Sequence, residues 1–182
     1  MRGTDDVITR QKKEKSKMGP VLKSGNLIFI GSNAAVSNTL IDNLIENSER
    51  LHDIETVHIL TLSENKWATP EHKDLFKVNT LFIGCKNIRE AITEGRAGYT
   101  PSFSSDIPRL FRENILPLDA PLIMVSPPDE YGHCSLGVSV DIVKSAVKSA
   151  KYVIAQINTK MPRTNGHSFV HVNQINAWLE AK

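Results

Sequence analysis

Leu27-Ile28-Phe29-Ile30-Gly31-Ser32-Asn33-Ala34-Ala35-Val36-Ser37-Asn38-Thr39-Leu40-Ile41-Asp42-Asn43-Leu44-Ile45 decides the fold class. The first four residues form an unbroken apolar run, as a strand buried on both faces requires. Gly31, Ser32 and Asn33 interrupt it. Val36, Leu40, Ile41, Leu44 and Ile45 then recur at the three- and four-residue spacing of one helical face, which predicts a helix over 35–50. A strand that turns directly into an amphipathic helix opens a βα unit, whose next strand lies parallel to the first.

The alternation continues outward. Strands are expected over 56–62, 80–84, 121–125 and 152–157, with a further one over 168–172. A short helix is expected within 70–76, and a longer one from Ile88 to Gly95, where glycine is a common stop. Asp106 can cap a helix with Pro108 in its first turn, running to about Ile115. Helices over 139–150 and 175–181 complete the series. The pattern predicts an α/β fold: an open, mostly parallel sheet with helices on both faces.

Composition sets the remaining bounds. The chain has 182 residues, 40% of them hydrophobic, which suits one domain with a buried core. Residues 1–18, with the run Lys12-Lys13-Glu14-Lys15-Ser16-Lys17, have no apolar period and are expected to form a polar tail; the domain is expected over 19–182. A net charge of +2 gives no broad footprint for nucleic acid. No apolar run approaches the roughly 20 residues of a membrane-spanning helix. The N-terminus lacks the apolar stretch of a secretory signal. Two cysteines, Cys85 and Cys134, are too few for a disulfide framework, so a reduced, cytoplasmic setting is expected.

In sheets of this type ligands gather beyond the carboxyl ends of the strands. Those positions hold Gly31-Ser32-Asn33-Ala34-Ala35, Ser63-Glu64-Asn65, the loop 126–137 and the segment 158–166. Gly, Pro, Ser and Asn set tight exposed turns there. Backbone N–H groups in such turns suit anions and oxyanions. The pattern gives a small-molecule binding edge and names no reaction.

Single residues leave alternatives. Arg96 either pairs with Glu94 or Glu90 or forks onto a carboxylate or phosphate. Tyr99 either packs or meets a ligand. Ser135 and Ser139 either cap the following helix or touch substrate. Arg163 either reaches a phosphate or braces an interface. Asp129, Glu130 and Asp141 are solvated charges, caps or site residues. His133 and Cys134 are neighbours on an extended segment and point to opposite sides, which argues against a Cys–His pair. Cys85, after a strand, reads as a small buried hydrophobe. His167 and His171 on a strand would lie roughly 13 Å apart, too far to share a metal; no metal site is expected.

Four segments carry a resemblance. Gly31 to Ala35, following Lys23-Ser24-Gly25-Asn26, is similar to a first glycine loop. Glu94-Gly95-Arg96-Ala97-Gly98-Tyr99-Thr100-Pro101 resembles a Gly-Arg-Ala-Asp-Tyr-Thr-Pro motif. Residues 126–141, SPPDEYGHCSLGVSVD, look like the most characteristic signature of the set. Residues 158–171, with Met161-Pro162-Arg163-Thr164 and Ser168-Phe169-Val170-His171, resemble the motif that follows. In this order they resemble the N-terminal-domain motifs of the acetyl-CoA hydrolase/transferase family, which includes acetate, butyrate and 4-hydroxybutyrate CoA-transferases; the match covers roughly residues 20–182.

The resemblance implies one of two similar domains with the active site between them. It implies transfer of CoA from an acyl-CoA, acetyl-CoA above all, to a short carboxylic acid. A glutamate attacks the thioester to form an acyl-glutamyl anhydride, and CoA thiolate then gives a glutamyl-CoA thioester. In hydrolase-type members water accepts the acyl group. The glutamate belongs to the family's C-terminal domain, and no glutamate here sits in that nucleophile motif. The chain alone is therefore expected to lack transferase activity, to need a C-terminal half in cis or trans, and to self-associate through an apolar face. No bound cofactor is implied, since coenzyme A and acyl-CoA are substrates. The residues implied to contact substrate or CoA are Gly31, Ser32, Asn33, Ala34, Arg96, Tyr99, Ser126, Gly132, Ser135, Gly137 and Arg163. Asn33 replaces the usual glycine and Gly98 the usual aspartate. With the missing half, these motivate an alternative: a degenerate, non-catalytic copy that binds acyl-CoA or a full-length relative. A sugar-phosphate isomerase or deaminase on the same sheet rests on fold analogy alone, and the 126–141 match argues against it.

Overall fold

The computed structural model describes residues 22–180. The polar tail expected over 1–18 lies outside the described residues. The elements in chain order are β1 (Leu27–Ile30), α1 (Asn38–Glu46), β2 (Ile54–His58), β3 (Phe76–Thr80), α2 (Lys86–Thr93), β4 (Ala97–Tyr99), α3 (Ile107–Arg112), β5 (Ala120–Val125), β6 (His133–Ser135), α4 (Val143–Ser149), β7 (Ile154–Ile157), β8 (Phe169–His171) and β9 (Ala177–Glu180), with short 3-10 turns between them.

Seven strands form one parallel sheet in the order β4-β3-β2-β1-β5-β7-β9. The chain starts at the centre, builds outward through β2, β3 and β4, and then returns to the other side of β1. Helices change face at the same point. Ile28, Ile30, Leu40, Ile41, Leu44 and Ile88 belong to one core, under α1 and α2. Phe29, Ile107, Phe111, Ile123, Val143 and Val147 belong to the other, under α3 and α4. Successive residues of β1 thus feed opposite cores, and all four are buried. Each such buried side chain contributes about 1.5–3 kcal/mol relative to exposure. The carboxyl ends of β1 and β5 are where the strand order reverses, the position at which ligands gather in open parallel sheets.

Several expectations need correction. The helix expected over 35–50 starts only at Asn38 and ends at Glu46. The cause is a bridge between Asn33 and Thr61 that prolongs the pairing of β1 with β2 beyond Gly31. The strand expected over 80–84 lies earlier, at Phe76–Thr80, where buried and more exposed residues alternate; Phe82 and Ile83 beyond it are exposed. The helix expected over 175–181 is strand β9: Ala177 and Trp178 are buried, and the segment pairs in parallel with β7. The strand expected over 168–172 does not enter the main sheet. It pairs antiparallel with β6 as a two-stranded ribbon. Among the described residues no helix is long and apolar enough to cross a membrane.

Candidate functional site

The turn after β1 is fixed by close backbone approach. Gly31 N–H donates to Leu122 O of β5 at 3.0 Å. A Cβ on residue 31 would lie 2.8 Å from Ala35 O and 3.2 Å from Leu122 O, so only glycine fits without moving backbone. Ser32 is fully buried, and its Oγ lies 3.5 Å from Asp141 Oδ1. Asn33 takes a left-handed backbone, φ 51°. Its N–H donates to Leu60 O at 2.7 Å, and its Nδ2 donates to Ser139 Oγ at 3.3 Å. Ser139 donates in turn to Asp141 Oδ2 at 2.7 Å, and Asp141 Oδ1 accepts from the amide of Ile142. Asp141 therefore ties the turn after β1 to the segment leading into α4, across the point where strand order reverses. Ala34 is exposed at the tip of the turn, and its amide meets no acceptor among the described residues.

The second wall is the loop 126–137. Ser126 Oγ accepts from the Ser135 amide at 2.9 Å and donates to Pro127 O at 3.0 Å. Ser135 Oγ accepts from the amides of Gly137 and Thr164, each at 3.1 Å. Gly137 has φ 58°, and a Cβ there would collide with the Met161 side chain and lie 2.9 Å from Pro162 O. Gly132 has φ 81° and turns the loop tip against His171. Arg163 crosses the base of this loop. Its Nη1 donates to His133 O at 3.1 Å, Pro127 O at 3.2 Å and Ser126 Oγ at 3.3 Å, while Nη2 meets Asp129 Oδ2 at 2.9 Å. Burial raises the Asp129 pKa, but the amides of His133 and Tyr131 and the Arg163 guanidinium outweigh it and hold the carboxyl below its ordinary value. Cys134 is buried and its thiol is pushed up to about 12 by desolvation, which makes it an inert core group.

Beside the turn after β1, towards α3, opens a cleft of about 560 Å³, lined by Asn33, Ile59, Leu60, Leu81, Phe82, Ser102, Ser104, Ser105, Ile107, Pro108, Asp141 and Ile142; of the substrate-contact residues expected from the sequence only Asn33 lines it, and the 126–137 loop does not. Its sides are largely apolar, with serine hydroxyls, one amide and one carboxylate. It is of a size usual for small-molecule sites.

The residues read from sequence divide accordingly. Gly31, Ser32, Asn33 and Ala34 stand at the carboxyl end of β1, and Ser126, Ser135 and Gly137 shape the loop after β5. Gly132 serves the loop tip. Arg163 braces the loop through four acceptors. Arg96 precedes edge strand β4, with its fork on Glu94 Oε2 at 2.6 and 2.8 Å and on Ala68 O at 2.5 Å. Tyr99 is half-exposed at the end of β4, three strands from β1. Gly98 leaves room for a Cβ, whose nearest neighbours, Asn79 Oδ1 and Val78 O, would lie 3.8 Å away. Ser139 does not cap α4 by its side chain. Ser139 and Asp141, whose roles the sequence leaves open, meet at the turn after β1, and Thr164 emerges only from the fold. Among the described residues no group of three or more His, Cys, Asp or Glu is placed to hold a metal ion.

The sequence profile of the acetyl-CoA hydrolase/transferase N-terminal domain matches residues 6–180. The chain is 44% identical over 143 residues to 4-hydroxybutyrate coenzyme A transferase of Clostridium kluyveri, covering 78% of this chain and 33% of that one. It is 42% identical over 156 residues to the succinyl-CoA:acetate/propanoyl-CoA:succinate CoA transferase of Fasciola hepatica, covering 85% and 32%. The chain thus spans about a third of the length of these curated relatives. The crystal structure of RipA from Yersinia pestis superposes with a TM-score of 0.81 at 26% identity, over 96% of this chain and 44% of that one. A 4-hydroxybutyrate CoA-transferase from Porphyromonas gingivalis, at 24% identity and a TM-score of 0.75 over 96% of this chain and 41% of that one, shares the fold. By profile, identity and architecture, the chain belongs to the acetyl-CoA hydrolase/transferase family and corresponds to its N-terminal domain.

Proposed function

We propose that this chain is the substrate-binding half of an acyl-CoA:carboxylate CoA-transferase. It receives the acyl group of an acyl-CoA, such as acetyl-CoA, and a short carboxylic acid at the carboxyl ends of β1 and β5. A glutamate supplied by a C-terminal half, in cis or in trans, carries CoA as a thioester. Its carboxylate attacks the thioester carbonyl and expels CoA thiolate, leaving an acyl-glutamyl anhydride. The thiolate then attacks the glutamyl carbonyl and releases the acid. The acceptor acid reverses both steps, so no net proton is consumed.

One observation supports this reading most. Asn33 and Asp141 line an open, mostly apolar cleft next to the turn whose Ala34 amide meets no acceptor among the described residues. Ile59, Leu60, Leu81 and Phe82 suit an acyl chain, and a free backbone amide suits an oxyanion formed at the carbonyl. Within the 126–137 loop the serine hydroxyls are spent on backbone groups, Thr164 and Arg163, which suits positioning and not nucleophilic attack.

The test is reconstitution. The chain is combined with a complementary C-terminal half, and exchange of CoA between acetyl-CoA and butyrate or 4-hydroxybutyrate is followed. Exchange with ping-pong kinetics, seen only when both halves are present, is the expected result. A folded, assembled pair that exchanges no CoA with any short acid overturns the proposal.

A further inference from the structure

We propose that His171 is a pH-sensitive latch: as a neutral ring it fastens the β6–β8 ribbon to the tip of the 126–137 loop, and on taking a proton it releases that tip.

The two bonds of the ring fix its protonation by their sense. Nδ1 lies 3.2 Å from the Asn173 amide, and Nε2 lies 3.0 Å from Tyr131 O. A backbone N–H only donates and a carbonyl oxygen only accepts. The ring therefore carries its one proton on Nε2 and gives it to Tyr131 O, while Nδ1 accepts from Asn173. A second proton has no place but Nδ1, where it would point at the Asn173 N–H. Protonation thus turns a hydrogen bond into two opposed donors, and it ends the side-chain cap of the turn Val172–Gln174. Gly132 leaves the ring little room to adjust: a Cβ on residue 132 would lie 2.9 Å from His171 Nε2. A ring that swings away from Asn173 gives up Tyr131 O as well.

The surrounding charges do not compensate a cation at His171. Lys144 and Lys148 of α4 and His133, His167 and Asp129 line the cleft that His171 lines, and Arg163 lies 5.3 Å over the Phe169 ring in the same place. Asp129 is the one carboxylate there, and Arg163 Nη2 already meets it at 2.9 Å. His133 stands opposite His171 in the ribbon register, the ring centres 5.2 Å apart, with its Nδ1 3.7 Å from Asp129 Oδ1. A proton on His133 therefore faces a carboxylate and can be accommodated. A proton on His171 faces an N–H. Gln174 offers no relief, since its Oε1 accepts from the His171 amide at 3.1 Å. The open tip thus takes up a proton that the closed one excludes, and opening grows as pH falls. The neighbouring tie of the tip is the Val172 amide, which donates to Gly132 O at 2.9 Å; at the base of the same loop the Ser126 amide donates to Ser135 O at 2.9 Å.

The experiment is NMR on the whole chain, between about pH 8 and about pH 5, the range in which imidazole changes charge. At the upper end the His171 ring nitrogen shifts should show Nδ1 bare and Nε2 protonated. Hydrogen-exchange protection of the Val172 amide, divided by that of the Ser126 amide and corrected for the intrinsic pH dependence of exchange, should fall about five-fold across the range, the worth of one hydrogen bond. Any loss of stability shared by the whole chain cancels in this ratio. His171→Asn keeps an acceptor for the Asn173 amide and cannot titrate, so its ratio should not change with pH. His133→Asn should respond to pH as the parent does. A His171 ring protonated on Nδ1 at the upper end, a parental ratio that stays constant, or a His171→Asn variant that follows the parental curve overturns the proposal. The first two readings need no variant. The latch involves neither the cleft beside β1 nor a second half, so it stands or falls apart from the proposed transferase activity.

Discussion

Asn33 shows how one residue can depart from a motif and keep its geometry. The turn after β1 needs a left-handed backbone at this position, φ 51°. Asparagine tolerates that region better than most residues, whereas a β-branched side chain is strained in it. Asn33→Gly should therefore leave unfolding free energy within about 0.5 kcal/mol, the Ser139 hydrogen bond lost offsetting the strain relieved. Asn33→Val should cost about 1–3 kcal/mol. Urea denaturation of both variants decides it; a valine variant as stable as the parent would mean the turn is not held as described. The sequence exposed this position because glycine and asparagine share a conformational preference. His58 was not legible in the same way. It ends β2 fully buried, both ring nitrogens unpartnered, edge-to-face with Trp67 at 5.6 Å. Burial pushes its pKa down from 6.5 to about 4. Above pH 6.5 the ring is neutral in folded and unfolded chains alike, so it contributes no pH dependence. As pH falls from 6.5 towards 4, the unfolded chain binds a proton that the folded chain refuses, and about 3 kcal/mol of stability is lost. His58→Leu should flatten this limb of the stability–pH curve. An unchanged slope between pH 6.5 and 4 would assign the acid sensitivity elsewhere.

At the scale of elements, the periodic segments were the readable ones. The strands expected over 121–125 and 152–157 overlap β5 and β7 because both are short runs buried on both faces, and the helix expected from Ile88 overlaps α2 because Ile88 and Ala91 bury one face. In short segments tertiary pairing outweighs local pattern. Ala177–Glu180 is a strand because β7 offers it a ladder, and no spacing within four residues could show that. The β6–β8 ribbon depends on contacts between segments more than thirty residues apart, which also hid the task of Arg163. That side chain holds four acceptors, on Ser126, Pro127, Asp129 and His133, at once. A lysine carries the same charge as a compact point and cannot span them. Arg163→Lys should cost about 1–2 kcal/mol, since the pair with Asp129 is partly solvated. Hydrogen exchange should quicken across 126–137 and stay unchanged in β1. Uniform acceleration throughout the sheet would show that Arg163 supports the fold as a whole and not this loop.

Across the whole molecule, six of the nine large apolar side chains exposed among the described residues follow or flank β2, β3, β4 and α3; Tyr131, Val138 and Tyr152 lie outside this group. Leu62 follows β2, Phe82 and Ile83 follow β3, Tyr99 ends β4, and Phe103 and Ile115 flank α3; Phe103 is 79% exposed and Leu62 67%. Scattered exposed apolar residues are ordinary, but a group of them is the kind of surface that a partner or a second copy covers. The sheet order explains the grouping, because β2, β3 and β4 lie together on one side of β1 and end at the same edge. Neither core uses Leu62, Phe82 or Phe103. Removing them should therefore change stability little, since substitutions outside packed features stay within about 0.5 kcal/mol. Association should respond strongly, because these groups are the apolar surface that a contact would bury. The chain by itself is expected to self-associate reversibly, with a sedimentation coefficient that rises with concentration. Phe82→Ser/Phe103→Ser should shift that rise to concentrations at least several-fold higher while the unfolding midpoint stays put. If the parent chain sediments as a monomer throughout the range, this rim is not a contact surface. If the double variant loses stability along with association, the two phenylalanines are needed by the fold itself, and the division between core and rim drawn from burial fails.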